Sequence, residues 1–464
     1  MFDAKVYQKR RELLRRKLGD GLILFLGDKE TPINFKGNPH RFRQDSTFLY
    51  YYGLDIPDLA AIIDCEEERE IIFGNNLILD EIIWTGSQPS IKQHALKCGV
   101  KSTAALGVLE EFCTRAIKQG RNIHFIPQYR DDNILAIHKL LGIAPKCLND
   151  HSSSQLARII IEQRSVKSKS EVAEIESAIN LTKEMQIAAM RYARPGMAER
   201  EVTGFIEGLA TSLGGGVSYP VIFSNHGEIL HNHSLTNKLK AGDLAVNDCG
   251  SESVLHYASD ITRTFPVSGK FTSRQKDIYE IVLDANLEGI ASIKAGVSFK
   301  DVHLKVCSVI AEGLKSFGIM KGNMKEAVAV GAHALFFPHG LGHLLGLDSH
   351  DMENLGEDHI GYDTNTKRSS QFGLKYLRFA KSLADGMVIT VEPGVYFIPP
   401  LIDKWQSENK FGEFIDYNKV NMNRSFGGIR IEDDVIVTSK GSRVLGNPIP
   451  KTTLEVEDIA SDKI

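Results

Sequence analysis

The segment DCGSESVLHYASDITRTFP, residues Asp248–Pro266, places an aspartate beside each of two apolar, strand-like runs. A hairpin turn centred near Val254 would set Asp248 opposite Asp260, and directly opposed strand residues have Cβ atoms about 4.5–5.5 Å apart on one face. Two carboxylates at that separation repel each other unless a proton or a cation lies between them. The segment therefore predicts either a cation site on a hairpin or two surface aspartates that flank a turn.

A second segment, FFPHGLGHLLGLDSHD at Phe336–Asp351, concentrates His339, His343 and His350 in mostly apolar sequence. Histidines spaced i, i+4 bind zinc when they lie on a helix, but the glycines between His339 and His343 disfavour a helix. We therefore expect irregular or extended backbone, with one histidine as a metal ligand and the others lining the same site. Upstream, a further segment contains three histidines, of which we expect one to be functional: His226, His231 and His233.

Two glutamates interrupt apolar, strand-like sequence: Glu392 in MVITVEPGVYF and Glu432 in GGIRIEDDVIV. A buried glutamate is unfavourable unless it pairs with a positive charge or binds a metal. Arg430 is a candidate partner for either glutamate. The alternative is that both glutamates join the two aspartates of the first segment in one metal site.

Together these segments supply four carboxylates and one imidazole, a set that suits two divalent cations because the charges nearly balance. Oxygen-rich ligation with a single histidine favours hard ions such as Mn²⁺, Mg²⁺ or Co²⁺, although Zn²⁺ also fits. Paired ions in hydrolases lie about 3.5–4 Å apart and lower the pKa of bound water. The candidate ligands are Asp248, Asp260, His343, Glu392 and Glu432.

Two regions with different patterns divide the chain near residue 160. Residues 1–160 alternate short apolar runs with helical stretches, which indicates a small α/β domain in which Ala60–Asp64 and Glu70–Gly74 form a hairpin. In residues 161–464, two amphipathic helices followed by strand-like sequence occur twice, and the first helix opens at a capping box of Ser168 and Glu171. This order predicts an internally duplicated α+β domain whose strands line a central site.

Composition excludes several classes of protein. The 464 residues carry 55 Lys and Arg against 59 Asp and Glu, a net charge of −4, so we expect neither a nucleic acid nor a membrane as partner. No apolar run approaches the ~18 residues that cross a bilayer. Residues 1–18 interleave Lys and Arg with Leu, which predicts a solvated amphipathic helix rather than a signal peptide. Six isolated cysteines indicate a reducing compartment, and we predict a cytoplasmic protein.

The order of these motifs resembles the creatinase/methionine-aminopeptidase (pita-bread) superfamily, and within it the Xaa-Pro peptidases of family M24, aminopeptidase P and prolidase. The resemblance covers nearly the whole chain and rests on four segments: DCGSESVLHYASDITRTFP, PHGLGHLLGLDSHD, GMVITVEPGVYF and GGIRIEDD. FRQDSTFLYYYG at Phe42–Gly53 is similar to the segment that marks the family's N-terminal domain, which methionine aminopeptidases lack. The resemblance implies a pita-bread catalytic domain behind a smaller α/β domain.

The resemblance also implies a role for each candidate residue. Asp248 would bind one metal, Asp260 and Glu432 would bridge both, and His343 and Glu392 would complete the other. His231 and His350 match histidines that stabilise the tetrahedral intermediate and the leaving group, and Glu392 matches the general base. The residues that would contact or orient the substrate are His339, Arg378 and Arg430.

The activity implied is hydrolysis of the Xaa-Pro bond at peptide N-termini by a metal-bridged hydroxide, with two divalent ions, Mn²⁺ above all, in a homodimer. Asp58–Gly86 resembles aminopeptidase P, whereas the long insertion after Phe397 resembles prolidase, which cleaves only dipeptides. A non-catalytic peptide-binding protein is the alternative from another class, but such a member would have lost metal ligands. The substrate in each case is a proline-containing peptide.

Overall fold

The computed structural model describes residues 1–463 and divides them into two compact units. Unit 1 comprises Met1–Arg164 with Met352–Gly356, and unit 2 comprises Ser165–Asp351 with the residues from Glu357 onward. Both units mix helices and strands, which confirms the predicted α+β fold class. Among the described residues, no helix is long and apolar enough to cross a membrane.

Unit 1 is built around a mixed five-stranded sheet of order β4-β3-β2-β1-β5. The central strands β1, β2 and β3 run antiparallel, while the outer strands β4 and β5 pair in parallel with β3 and β1. The predicted hairpin is present, because Ala60 pairs with Phe73 and Asp64 with Arg69. The elements are α1 Ala4–Leu18, β1 Leu22–Leu26, α2 Ser46–Tyr52, β2 Ala60–Asp64, β3 Arg69–Phe73, α3 Leu79–Thr85, α4 Ile91–Lys97, β4 Ser102–Ala104, α5 Leu109–Lys118, β5 Ile123–His124, α6 Asp131–Leu141 and α7 Ser154–Ser165.

Helix α1 is amphipathic as predicted, but two of its basic residues, Arg10 and Arg11, are buried rather than solvated. Arg11 is fully buried and forms an ion pair with Glu70 at 2.9 Å. The same guanidinium donates hydrogen bonds to the carbonyl oxygens of Tyr51 and Cys98. Arg11 is buried because its rigid fork of N–H donors satisfies backbone carbonyl oxygens from two other segments.

Unit 2 repeats one arrangement, a helix pair followed by a three-stranded sheet. The first sheet has the order β6-β7-β8 and the second the order β13-β12-β9, with a separate pair of β10 and β11. The elements are α8 Lys169–Tyr192, α9 Glu199–Leu213, β6 Ile222–Ser224, β7 Leu244–Cys249, β8 Ile261–Pro266, α10 Ser273–Ser292, α11 Phe299–Ser316, α12 Met324–Val330, α13 Glu357–Gly361, β9 Val388–Val391, β10 Gly394–Tyr396, α14 Pro399–Ser407, α15 Tyr417–Met422, β11 Gly428–Arg430, β12 Asp433–Thr438, β13 Gly441–Val444 and α16 Thr453–Ser461.

The hairpin of β7 and β8 has a register two residues away from the predicted one. Asp248 pairs with Thr262, so the turn is centred on Leu255 and Asp260 is displaced diagonally from Asp248. The turn is longer than a tight hairpin because the Ser253 N–H donates to the Tyr257 carbonyl oxygen and His256 adopts a left-handed conformation. Since the displacement is an even number of residues, the two aspartates still share one face.

A buried arginine ties the two sheets of unit 2 together. Arg263 on β8 forms an ion pair with Asp433 on β12 at 2.7 Å, and neither side chain is more than 4% exposed. The guanidinium also donates to the carbonyl oxygen of Glu432 at 2.6 Å. The ion pair therefore fixes the backbone of a predicted metal ligand as well as the packing of the strands.

We predict that Arg263→Met lowers the free energy of unfolding by about 3–5 kcal/mol, because the buried Asp433 carboxylate keeps only Lys451 as a cationic partner and the carbonyl oxygens of Glu432 and Ile449 lose their donor. Urea denaturation of the purified protein measures this change. Arg424→Met is the control, since Arg424 pairs with Asp403 at the surface, and its unfolding midpoint should stay near that of the original protein. Equal midpoints for both variants would contradict the structural role of Arg263.

Candidate metal centre

Three buried side chains from separate parts of unit 2 converge at one point. The ligand atoms of Asp260, His343 and Glu432 lie within 4.8 Å of one another, and each residue is at most 5% exposed. His343 Nε2 lies 3.5 Å from Asp260 Oδ2 and 3.9 Å from Glu392 Oε1. The structure thus brings Glu392 to the edge of the same group.

Strand ends and backbone pairing position these residues. Glu392 directly follows β9, and Glu432 occupies the gap between β11 and β12. The Thr262 hydroxyl donates to Glu432 Oε2 at 2.7 Å, and the Glu432 N–H donates to the Thr262 carbonyl oxygen. His343 is not helical, as predicted, and its carbonyl oxygen accepts from the Thr390 N–H of β9 at 3.0 Å. Both repeated halves of unit 2 therefore contribute carboxylates.

Tyr219 contacts both aspartates, and sequence reasoning missed it. Its hydroxyl oxygen lies 2.6 Å from Asp248 Oδ1 and 2.6 Å from Asp260 Oδ1, although its single proton serves one carboxylate at a time. Tyr219 lies in the loop between α9 and β6, where no periodicity or charge distinguishes it. The segment SYP offers no signal that would have identified it. Ser349 adds a second hydroxyl, which donates to Asp260 Oδ2 at 2.7 Å.

Arg430 pairs with Asp248, whereas the sequence had offered it as partner of Glu392 or Glu432. Its Nη2 lies 2.6 Å from Asp248 Oδ2, and its Nε donates to the Thr262 hydroxyl. Arg430 is the last residue of β11, so its side chain reaches Asp248 on β7 rather than its neighbour along the chain. One arginine cannot balance the charge of four carboxyl groups when all of them are ionised.

Burial and mutual repulsion raise the carboxyl pKa values. Burial, followed by the charge of Asp248, raises the pKa of Asp260 to about 6. Burial raises the pKa of Glu392 to about 8, and the neighbouring aspartates add to the shift. The pKa of Glu432 is raised well above its ordinary value for the same reasons. The folded chain therefore holds these carboxyl groups where additional positive charge would stabilise their ionised forms.

This donor set fits divalent cations. Carboxylate oxygens with one imidazole nitrogen are ligands for hard or borderline ions. His343 Nδ1 lies 3.1 Å from the Leu344 carbonyl oxygen, which leaves Nε2 as the nitrogen that faces the carboxylates. In most metal-binding histidines, one ring nitrogen binds the metal and the N–H of the other donates to a carbonyl or carboxylate group.

Tyr396 links Arg430 to His339 in a directed hydrogen-bond chain. Arg430 Nη1 donates to the Tyr396 hydroxyl oxygen at 3.0 Å, and that hydroxyl lies 2.9 Å from His339 Nε2. His339 Nδ1 lies 2.8 Å from the Gly340 carbonyl oxygen and 3.6 Å from Glu392 Oε2. Burial lowers the pKa of His339 to about 3, so the ring is neutral and both nitrogens are engaged within the protein.

The remaining predicted residues surround this group at different distances. The rings of His343 and His350 are 4.3 Å apart, whereas His231 is exposed on one side. Partial burial, followed by the charge of Arg430, lowers the pKa of His231. Arg378 Nη1 lies 3.6 Å from Glu357 Oε2, and its charge lowers the pKa of Glu392. His226 pairs instead with Glu228 at 3.1 Å, and His233 is exposed.

We predict that Tyr219→Phe raises the dissociation constant for Mn²⁺ by about 10–100-fold, because it removes a hydroxyl that orients two carboxylates. Isothermal titration calorimetry measures the constant. Tyr129→Phe, on an exposed tyrosine in unit 1, is the matched control and should leave it unchanged. An unaltered constant in Tyr219→Phe would show that the hydroxyl does not orient the ligands.

Comparison with known proteins agrees with this geometry. Residues 173–439 match the Metallopeptidase family M24, and residues 7–124 match the aminopeptidase P N-terminal domain. Proteins named "Probable Xaa-Pro aminopeptidase PEPP" from Ajellomyces capsulatus and Ajellomyces dermatitidis are 32% and 33% identical, over 99% of this chain and 97% of each relative.

The chain also resembles solved structures of bacterial aminopeptidase P. A Zn-substituted Escherichia coli aminopeptidase P in complex with product has 28% identity and a TM-score of 0.81, over 99% of this chain and 98% of that one. Pseudomonas aeruginosa aminopeptidase PepP has 25% identity, with the same TM-score and coverage. The family is one of metallopeptidases, which use divalent metal ions, and the buried carboxylates described above fit such ions. The chain therefore belongs to metallopeptidase family M24 and carries an aminopeptidase P N-terminal domain.

Proposed function

We propose that this protein is an Xaa-Pro aminopeptidase, which removes the N-terminal residue of peptides whose second residue is proline. The observation that carries the proposal is the buried convergence of Asp260, His343 and Glu432, together with Glu392 at its edge. The near full-length relatives named as Xaa-Pro aminopeptidases support the substrate class. Residues 161–464 form the catalytic domain in this proposal, and residues 1–160 form the aminopeptidase P-type domain.

Two divalent cations occupy the centre in this proposal. Asp248 together with Asp260 and Glu432 would hold one ion, and His343 and Glu392 together with the same Asp260 and Glu432 would hold the other. Mn²⁺ is the preferred ion because oxygen donors predominate, and Co²⁺, Mg²⁺ and Zn²⁺ are the alternatives. When bound, such ions polarise the scissile carbonyl group and lower the pKa of the attacking water.

The protein side chains bind the peptide and move its protons. Glu392 accepts a proton from the attacking water and returns it to the proline nitrogen, which must be protonated to leave. His231 donates a hydrogen bond to the carbonyl oxygen as it gains charge, and His350 stabilises the leaving group, whose proton it can supply in place of Glu392. Arg378 binds the peptide beyond proline. Arg430 and His339 act through their hydrogen bonds to the Tyr396 hydroxyl group, which hold the His339 ring beside Glu392.

The test uses the full-length protein loaded with Mn²⁺ and an Asp260→Ala variant prepared in the same way. Mass spectrometry follows the products from Ala-Pro, Ala-Pro-Ala and Ala-Ala-Ala. We predict release of alanine from Ala-Pro-Ala, none from Ala-Ala-Ala, and no detectable cleavage by Asp260→Ala, because a shared ligand is lost.

Each other outcome replaces the proposal by a specific alternative. Cleavage of Ala-Pro alone would make the protein a prolidase that closes its site beyond proline. No cleavage of either proline peptide would favour a peptide-binding protein without catalysis. Circular dichroism of Asp260→Ala checks that the variant keeps the fold, so that lost activity reports the ligand.

A homodimer is the second part of the proposal, and exposed apolar side chains in unit 1 support it. Ile78, Leu79, Ile83 and Trp84, in and beside α3, are between 62% and 87% exposed. Large exposed apolar patches, unlike single exposed apolar residues, are typical of protein–protein contacts, membrane contacts and ligand grooves. The six free cysteines of the described chain support a reducing, cytoplasmic location.

We predict that the protein sediments as a dimer and that Trp84→Glu shifts it toward the monomer, because a charge at a packed apolar contact is unfavourable. Sedimentation velocity at micromolar concentration measures the distribution. Tyr129→Glu, which alters another exposed aromatic residue of unit 1, should remain dimeric. A monomer in the unaltered protein would contradict this part of the proposal.

A further inference from the structure

A second group of potential metal ligands lies in unit 2, apart from the carboxylate centre. It consists of His303, Cys307 and His333, whose ligand atoms all lie within 4.8 Å of one another. All three side chains are at least 98% buried. None of them takes part in the proposed hydrolysis, so the group needs its own explanation.

Local structure explains how the three residues meet. His303 and Cys307 are spaced i, i+4 on α11 and therefore share one face of the helix. His333 follows Gly331, whose φ of +89° ends α12 and turns the chain into a short 3₁₀ helix at Ala332–Leu335. The Phe337 ring then lies 5.5 Å from the His303 ring.

Hydrogen bonding within the protein accounts for only part of the group. Cys307 Sγ lies 3.4 Å from His303 Nε2. His303 Nδ1 and both ring nitrogens of His333 are buried without any hydrogen-bond partner. A buried imidazole with neither ring nitrogen hydrogen-bonded is rare in folded proteins, so His333 is the residue of this group that calls for a ligand, beside His303 Nε2 and Cys307 Sγ.

The distances and the donor types fit a small soft cation. Cys307 Sγ and His303 Nε2 are 3.4 Å apart, so one ion can contact both atoms at ordinary metal–ligand distances of about 2.0–2.3 Å. Thiolate and imidazole ligands select soft ions such as Cu⁺, whereas Mn²⁺ and Mg²⁺ prefer oxygen. The group therefore differs in chemistry from the carboxylate centre.

The net charge of the ion with its ligands distinguishes Cu⁺ from Zn²⁺ at this group. Among residues 1–463, no further His, Cys, Asp or Glu joins this group. Cu⁺ with one thiolate and two neutral imidazoles is uncharged, whereas Zn²⁺ with the same ligands keeps a charge of +1 in a buried, apolar region. An uncompensated buried charge is unfavourable. Structural zinc also takes four ligands, whereas this group supplies three, two histidines and one cysteine.

We propose that His303, Cys307 and His333 form a closed three-coordinate site for a soft monovalent cation, Cu⁺. Binding forms one Cu–S and two Cu–N bonds and releases the thiol proton of Cys307 to solvent, without any change of oxidation state. Burial lowers the pKa of His303 to about 3 and of His333 to about 4, so both rings are neutral. The same burial raises the pKa of the Cys307 thiol, so this proton leaves only when the ion binds. The ion would link α11 to the segment that leads to His339 and His343.

The test is an anaerobic Cu⁺ competition with excess bicinchoninate on the full-length protein loaded with Mn²⁺. We expect about one equivalent of Cu⁺ to be retained, and X-ray absorption at the copper edge to show one sulfur and two nitrogen ligands. Retained copper should fall at least tenfold in Cys307→Ala. Cys113→Ala, which alters a buried cysteine among apolar residues, is the matched control and should retain the full equivalent.

His333→Leu keeps the proposal falsifiable if Cys307→Ala does not fold, because it should lose copper to the same extent. Equal copper retention by the unaltered protein and either folded variant would overturn the site. Absence of a sulfur ligand, or loss of all copper to bicinchoninate in the unaltered protein, would do the same. Binding of Zn²⁺ in preference to Cu⁺ at Cys307 would overturn the assignment of the ion.

Discussion

Repulsion among buried carboxylates is the constraint on which the centre of unit 2 depends. Asp260 and Glu432 are nearly inaccessible, Asp248 and Glu392 lie beside them, and the buried Arg430 pairs with Asp248. Burial and proximity both raise carboxyl pKa values, which means that the folded chain alone stabilises the ionised group poorly. Two divalent cations would supply positive charge here, which fits the chain's membership of a metallopeptidase family.

The fold maintains this unfavourable arrangement through satisfied polar contacts around it. Thr262 binds Glu432 through its hydroxyl and its carbonyl oxygen, and Arg263 binds the adjoining backbone from the other side. Tyr219 and Ser349 supply hydroxyl groups to the aspartates. Such a surrounding shell orients ligands and tunes their basicity, so these residues matter to metal binding although they would not touch the ions.

From sequence patterns, the residues of the metal centre can be predicted better than the way in which these residues are arranged. Asp248, Asp260, Glu392 and Glu432 stand out because a charge inside apolar, strand-like sequence needs an explanation, and the structure brings all four to one region. The predicted hairpin register was wrong by two residues. Backbone hydrogen bonds set the turn at Ser253–Tyr257, and local sequence composition does not reveal them.

Residues that act through tertiary contacts could not be found in this way. Tyr219 belongs to a loop, and Arg11 looks like one of several solvent-facing basic residues until its carbonyl partners are known. His303, Cys307 and His333 were not recognised as a group, because His333 is distant along the chain from the i, i+4 pair. Sequence spacing can identify metal ligands that lie on one helix. Ligands from segments that are distant along the chain can be recognised as one site only when the three-dimensional structure is known.

The most direct test of the account is electron paramagnetic resonance of the protein loaded with two equivalents of Mn²⁺. If the carboxylates hold two bridged ions, exchange coupling should replace the six-line spectrum of isolated Mn²⁺ with a broad, multiline spectrum, since paired ions lie about 3.5–4 Å apart. Two isolated six-line signals, or a single bound equivalent, would contradict the claim that Asp260 and Glu432 bridge a dinuclear centre.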